Sequence, residues 1–156
     1  MPDKETIERA QEDAREGKSP STQAGEFVRE EMDHIREGKH GAASTKQAIA
    51  IGLSKARRAG VKLPPPEAST SSHQVRKKAE RDYEKGQSTP GKKPSAKRSR
   101  AVEKALKKEG HAAASHAALS RQAKQAAAKR SSSSRSQAAK KAARTRTRSG
   151  HNRYGK

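Results

Sequence analysis

The chain contains no cysteine and no tryptophan, and Phe27, Tyr83 and Tyr154 are its only aromatic residues. Without cysteine there is no disulfide framework, no thiolate metal site and no thiol nucleophile. With 28% apolar residues, many of them alanine, large apolar surface is too scarce to offset the ordering of all 156 residues around one big core. Long apolar runs are missing too. The longest strongly apolar stretch, Ala48 to Leu53, is far too short to span a bilayer, and the opening Met-Pro-Asp-Lys-Glu-Thr lacks the basic-then-apolar pattern of a signal peptide. These absences point to a soluble, cytoplasmic protein with no membrane partner.

Acidic residues are missing from one end. The net charge is +20, but residues 1–63 hold 12 Lys/Arg and 11 Asp/Glu, or +1, whereas residues 64–156 hold 25 and 6, or +19. After Glu109 there is no acid at all, against 12 Lys/Arg. One-signed charge on that scale opposes compaction and attracts a polyanion.

Helical periodicity is confined to short stretches. Asp3 to Glu16 reads as a helix with Asp3 as cap, Gly17 as exit and a thin stripe of Ile7, Ala10 and Ala14. Ser19-Pro20 reads as cap and first turn of a second helix running to Glu37, with Ala24, Phe27, Val28, Met32 and Ile35 close to one face. Ser44-Thr45-Lys46-Gln47 has the form of a capping box that opens a third helix, whose stripe is Ala48, Ile49, Gly52, Leu53 and Ala56. Gly52 would let a neighbouring helix approach closely, Gly60 ends the helix, and Pro64 to Pro66 stop any continuation. Weaker helical patterns follow from Ser72 to Lys85 and from Ser95 to Glu109, with a linker composition at Gly86 to Pro94. Beyond Gly110, alanine favours helix but leaves almost nothing to pack. The expected architecture is mainly α: a small helical hairpin of two to three helices in residues 1–63, then a largely disordered basic tail in residues 64–156 with transient helices.

The basic residues are the candidate site. Arg57, Arg58, Lys92, Lys93, Lys97, Arg98, Arg100, Lys124, Lys129, Arg130, Arg135, Lys140, Lys141, Arg144, Arg146, Arg148 and Arg153 are spaced to contact successive phosphates. Arg takes two phosphate oxygens at once and Lys acts as a mobile point charge. No zinc-finger spacing, leucine zipper or base-stacking aromatic pair accompanies them. Backbone binding to duplex DNA therefore fits better than stacking on single-stranded RNA. Phosphorylation within Ser131 to Ser134 would cancel charge and weaken such binding.

Other chemistries fail on particular residues. Gly86 to Lys93 has the spacing of a phosphate loop, but Lys93 stands where Ser or Thr must bind magnesium, and Pro90 sits inside. Six histidines (His34, His40, His73, His111, His116 and His151) are scattered along the sequence, so they read as solvated, with no metal and no cofactor. Glu30, Glu31 and Asp33 read as a solvated acidic face, and nothing in the pattern is enzymatic. Binding to a membrane surface needs large apolar residues opposite the cations, where the tail has alanine.

Glu37-Gly38-Lys39-His40-Gly41, followed by Ser44 to Ser54, resembles a family of small, uncharacterised bacterial proteins. Its mark is a Lys-Gln-Ala-Ile-Ala-Ile-x-Leu-Ser-x-Ala-Arg helix after a Gly/Lys-rich turn, and the resemblance covers about residues 1–65. Here Gly52 replaces a common alanine and Lys55 a usual acid. The resemblance implies no activity and no catalytic residue. By composition alone the tail is similar to the Ala/Lys-rich tails of linker histones and bacterial histone-like proteins. The reading is a nucleoid-associated protein that binds nucleic acid without sequence preference, DNA before RNA, with residues 19–60 as a platform for self-association or a protein partner. The alternatives are a hydrophilic stress-protection protein without a specific ligand, and an adaptor whose hairpin holds a protein partner.

Overall fold

A computed structural model of the chain describes residues 2–88 and 95–151. Among these, seven α-helices and a short 3-10 turn occur and no strand: α1 Lys4–Arg15, α2 Pro20–Arg36, α3 Thr45–Arg58, α4 His73–Gln87, α5 Ala96–Leu106, the turn Ala112–Ala114, α6 His116–Ala128 and α7 Ser132–His151. They fall into two compact units, Met1–Ala118 and Leu119–Lys156.

The first three helices start and stop where the sequence places them. Pro20 occupies the first turn of α2, and the Gln47 amide donates to Ser44 Oγ at 3.2 Å. The return half of that capping box lands one residue early, since Gln47 Oε1 accepts from the Ala43 amide at 3.2 Å. All three helices leave through glycines of positive φ, Gly17, Gly38 and Gly60. Each exit has the same paired bonds, seen at α3 as Gly60 N–H to Arg57 O and Val61 N–H to Ala56 O, both 3.1 Å. This motif also brings Val61 back onto Ala56, and both belong to the core with Ala10, Ala24 and Phe27.

Helices α2 and α3 form the centre of the first unit. The face of α3 turned inward is Ala48, Gly52 and Ala56, all buried, so no side chain larger than a methyl separates the two backbones. A Cβ on Gly52 would lie 2.7 Å from Val28 Cα and 3.0 Å from the Phe27 carbonyl oxygen. Helix α1 covers the Phe27 side of this pair with Ala10 and the half-buried Ile7. Helix α4 covers α3, where Asp82 is buried and accepts from Ser54 Oγ at 2.5 Å and Arg58 Nε at 2.7 Å.

The expectation of a small hairpin with a disordered tail is overturned here. Helices continue through α4, α5, α6 and α7, and residues 106–114 fold back onto the α2–α3 turn. Gly41 and Ala42 amides donate to the carbonyls of Leu106 and Gly110 at 2.9 and 3.1 Å. Thr45 Oγ1 donates to Ala113 O at 2.7 Å, and Arg36 Nε to Ala114 O at 3.0 Å. Ala113 and Ala114 are buried. Small residues allow this docking because hydrogen bonds to backbone carbonyls, rather than a large apolar face, hold the segment in place.

Gly52→Ala should destabilise the protein by about 1–3 kcal/mol, since the added methyl meets backbone that cannot rotate away. A urea melt would check this, and an unchanged midpoint would mean that α2 and α3 lie further apart in solution.

Candidate nucleic-acid interface and a buried carboxylate–histidine cluster

The second unit carries every Lys and Arg found after Glu109 and no acid, so Leu119–Lys156 has 12 positive charges and none to offset them. The first unit has 25 Lys/Arg against 17 Asp/Glu, or +8. In the second unit, Lys124 on α6, Lys129 and Arg130 in the following turn, and Arg135, Lys140, Lys141, Arg144 and Arg146 on α7 are all exposed. At 100° per residue, Arg135 and Arg146 share one side of α7, while Lys140 and Arg144 share another. Helix α7 therefore presents cations on more than one face. Arg148 belongs to α7 by its backbone, and Lys92, Lys93 and Arg153 lie outside the described residues.

The candidates in the first unit divide sharply. Lys97, Arg98 and Arg100 are exposed on α5. Arg58 keeps an exposed side chain but is ion-paired to Asp82 at 2.7 Å. Arg57 is buried, with Nε donating to Leu63 O and a terminal nitrogen to Pro64 O, both at 3.2 Å. Burial pulls its guanidinium below the ordinary arginine range. It holds the start of the proline segment against α3 and faces the protein interior, which is not where a phosphate could reach it.

A second group of residues runs against the sequence reading. Glu30 and Glu31 do not form a solvated face. Glu30 is 5% exposed and Glu31 is fully buried. Glu31 lies four residues from both Phe27 and Ile35, on the same buried stripe of α2. The Lys55 ammonium on α3 sits 2.7 Å from Glu31 Oε2 and 3.5 Å from Glu30 Oε1. Glu30 Oε2 also accepts from the Asp3 amide at 3.2 Å.

Two histidines border these carboxylates, so they are not simply solvated. His34 Nε2 lies 3.2 Å from Asp3 Oδ2 and its Nδ1 lies 3.9 Å from Glu30 Oε1. His40 Nε2 lies 3.5 Å from Glu31 Oε1, while its Nδ1 meets Gly41 O at 3.2 Å. The two rings meet edge to face, with centroids 6.1 Å apart and planes at 81°. His34 follows Glu30 by one turn of α2 and His40 sits just past the α2 exit, so the gathering depends on the tight turn at Gly38.

Residues 15–67 match the model of a family of unknown function (DUF6496). The match spans α2, α3 and the proline segment, and so includes Glu30, Glu31, His34, His40 and Lys55 but not Asp3. It assigns no chemistry. No curated protein and no solved structure matches the chain. Among the described residues, no helix is long and apolar enough to cross a membrane.

Replacing Lys55 with Met should cost about 3 kcal/mol of stability, because it leaves Glu31 buried beside Glu30 without its cation. The double variant Lys55→Met/Glu31→Leu should regain most of that loss in the same chemical melt. Equal losses in the single and double variants would show that the pair contributes shape rather than charge.

Proposed function

We propose that the protein binds nucleic acid, duplex DNA ahead of single-stranded RNA, through phosphates and without sequence preference, using α6 and α7. The observation that carries this reading is the acid-free charge of the second unit. Lys124, Lys129, Arg130, Arg135, Lys140, Arg144 and Arg146 are exposed on these two helices and the turn between them. In the first unit several cations are paired with acids: Arg9 with Glu26, Lys18 with Asp13 and Glu16, Lys55 with Glu30 and Glu31, and Arg58 with Asp82.

The shape of α7 fits this partner. Its 20 residues span about 30 Å, and cations on more than one side suit a helix lying between two walls of phosphate in a major groove about 12 Å wide. Each phosphate neutralised releases condensed counterions, which makes affinity fall steeply with salt. With no Phe, Tyr or Trp on α6 or α7 to stack on bases, single strands gain less. Binding of this kind would hold the protein on the nucleoid.

Anisotropy titrations of labelled duplex DNA and RNA across a range of salt would test the reading. The log–log slope for duplex DNA should be about −5 or steeper. The variant Lys140→Gln/Arg144→Gln/Arg146→Gln should bind more weakly, with a slope shallower by about 2.7, since each lost phosphate contact removes about 0.9. An unchanged slope in that variant, or no binding at about 0.15 M salt, would rule out α7 as the interface. Equal affinity for RNA would remove the preference for duplex DNA.

A further inference from the structure

The pairing around His40 is chemically incomplete. Gly41 O can only accept, so the 3.2 Å contact requires His40 Nδ1 to carry the hydrogen. In the neutral ring Nε2 is then a bare lone pair, yet it faces Glu31 Oε1, a second acceptor, at 3.5 Å. Glu31 is fully buried, and neither of its carboxylate oxygens has a hydrogen-bond partner in good geometry. Lys55 approaches only Oε2 among the two. With the ring neutral, two lone pairs face each other across this contact.

His34 repeats the pattern. Asp3 Oδ2 accepts from Nε2, which leaves Nδ1 as the free donor atom of a neutral ring. A histidine whose far nitrogen is held by a carboxylate or a carbonyl, with the near nitrogen bare, is the arrangement that orients imidazole toward a metal ion. Glu31, His34 and His40 each offer one ligand atom, and these atoms all lie within 4.8 Å of one another. Ligands of a tetrahedral zinc ion sit about 3.3 Å apart, so small side-chain rotations would close the site.

We propose that Glu31, His34 and His40 bind a divalent transition-metal ion of the zinc type, with Asp3 and Gly41 O as the outer groups that orient the two imidazoles. Charge agrees with this. With neutral rings, Asp3, Glu30 and Glu31 carry −3 and Lys55 carries +1, leaving −2 for a dication to balance. Lys39 nearby is ion-paired to Glu37 at 2.9 Å and cancels. The oxygen and two nitrogens suit zinc-like ions rather than magnesium or calcium, which prefer all-oxygen shells. A surface groove of about 280 Å³, lined by residues including Asp3, Glu30, His34 and Lys39, reaches the His34 side of the cluster from solvent.

The test is calorimetric titration of the chelator-stripped full-length chain with Zn2+, alongside Co2+ followed by visible absorption. The wild type should bind one equivalent and give a tetrahedral cobalt spectrum. His34→Ala, His40→Ala and Glu31→Gln should each weaken binding at least tenfold, and Asp3→Asn by about 10- to 100-fold. His73→Ala/His116→Ala should leave it unchanged. His40→Ala keeps the Lys55–Glu31 pair, so its folding, checked by far-UV circular dichroism, separates lost ligation from lost structure. Equal binding by wild type and His34→Ala/His40→Ala, or no binding, would overturn the proposal. So would a melting temperature that ignores added Zn2+.

Discussion

The close crossing of α2 and α3 is the constraint on which the rest of the first unit depends. Because α3 lines its close approach with Ala48, Gly52 and Ala56, Phe27 and Ile35 of α2 can sink to full burial in a chain with few other large apolar side chains. Three other parts of the unit attach to this pair from outside: α1 on α2, α4 on α3, and residues 106–114 across the turn that joins them. An interface built from methyl groups removes little apolar area. Directed polar contacts therefore carry an unusual share of the structure, among them Thr45 to Ala113 O, Arg36 to Ala114 O, and the two donors on Asp82.

Local punctuation was legible in the sequence and long-range pairing was not. Ser19-Pro20, Ser44 to Gln47, and the glycines at 17, 38 and 60 mark helix ends by short-range stereochemistry, and they stand where expected. Gly52 likewise announces a close approach. Residues 106–114 carry no such mark, since Ala113 and Ala114 look like the other alanines of a polar stretch. Their partners are side chains bonded to backbone carbonyls, and any residue supplies a carbonyl. The error lay in taking few large apolar residues to mean little order. Alanine supplies helix propensity, and its small size lets backbones meet.

The acidic cluster was hidden for a different reason. Position 31 falls in phase with Phe27 and Ile35, so periodicity alone would have buried it, but a charge is ordinarily assigned to the surface. What retains Glu31 inside is Lys55, on the next helix, together with the turn that brings His40 back. Neither relation is visible in a linear pattern. Arg57 shows the reverse case: a cation counted as available for phosphate is occupied by the carbonyls of its own chain. Surface charge on α6 and α7 was the easier reading, because one-signed composition survives whether the segment is coiled or helical.

The docking of Ala113 and Ala114 also sets an order of events during synthesis. The first unit cannot close over the α2–α3 turn until Ala114 has left the ribosome, and every acidic residue of the protein precedes that point. Domains tend to complete in the order in which they emerge. When the run beginning at Arg121 appears, the buried carboxylates already have their cations, Glu31 with Lys55 and Asp82 with Arg58. The acid-free run of positive charge is thus synthesised after every carboxylate side chain of the sequence.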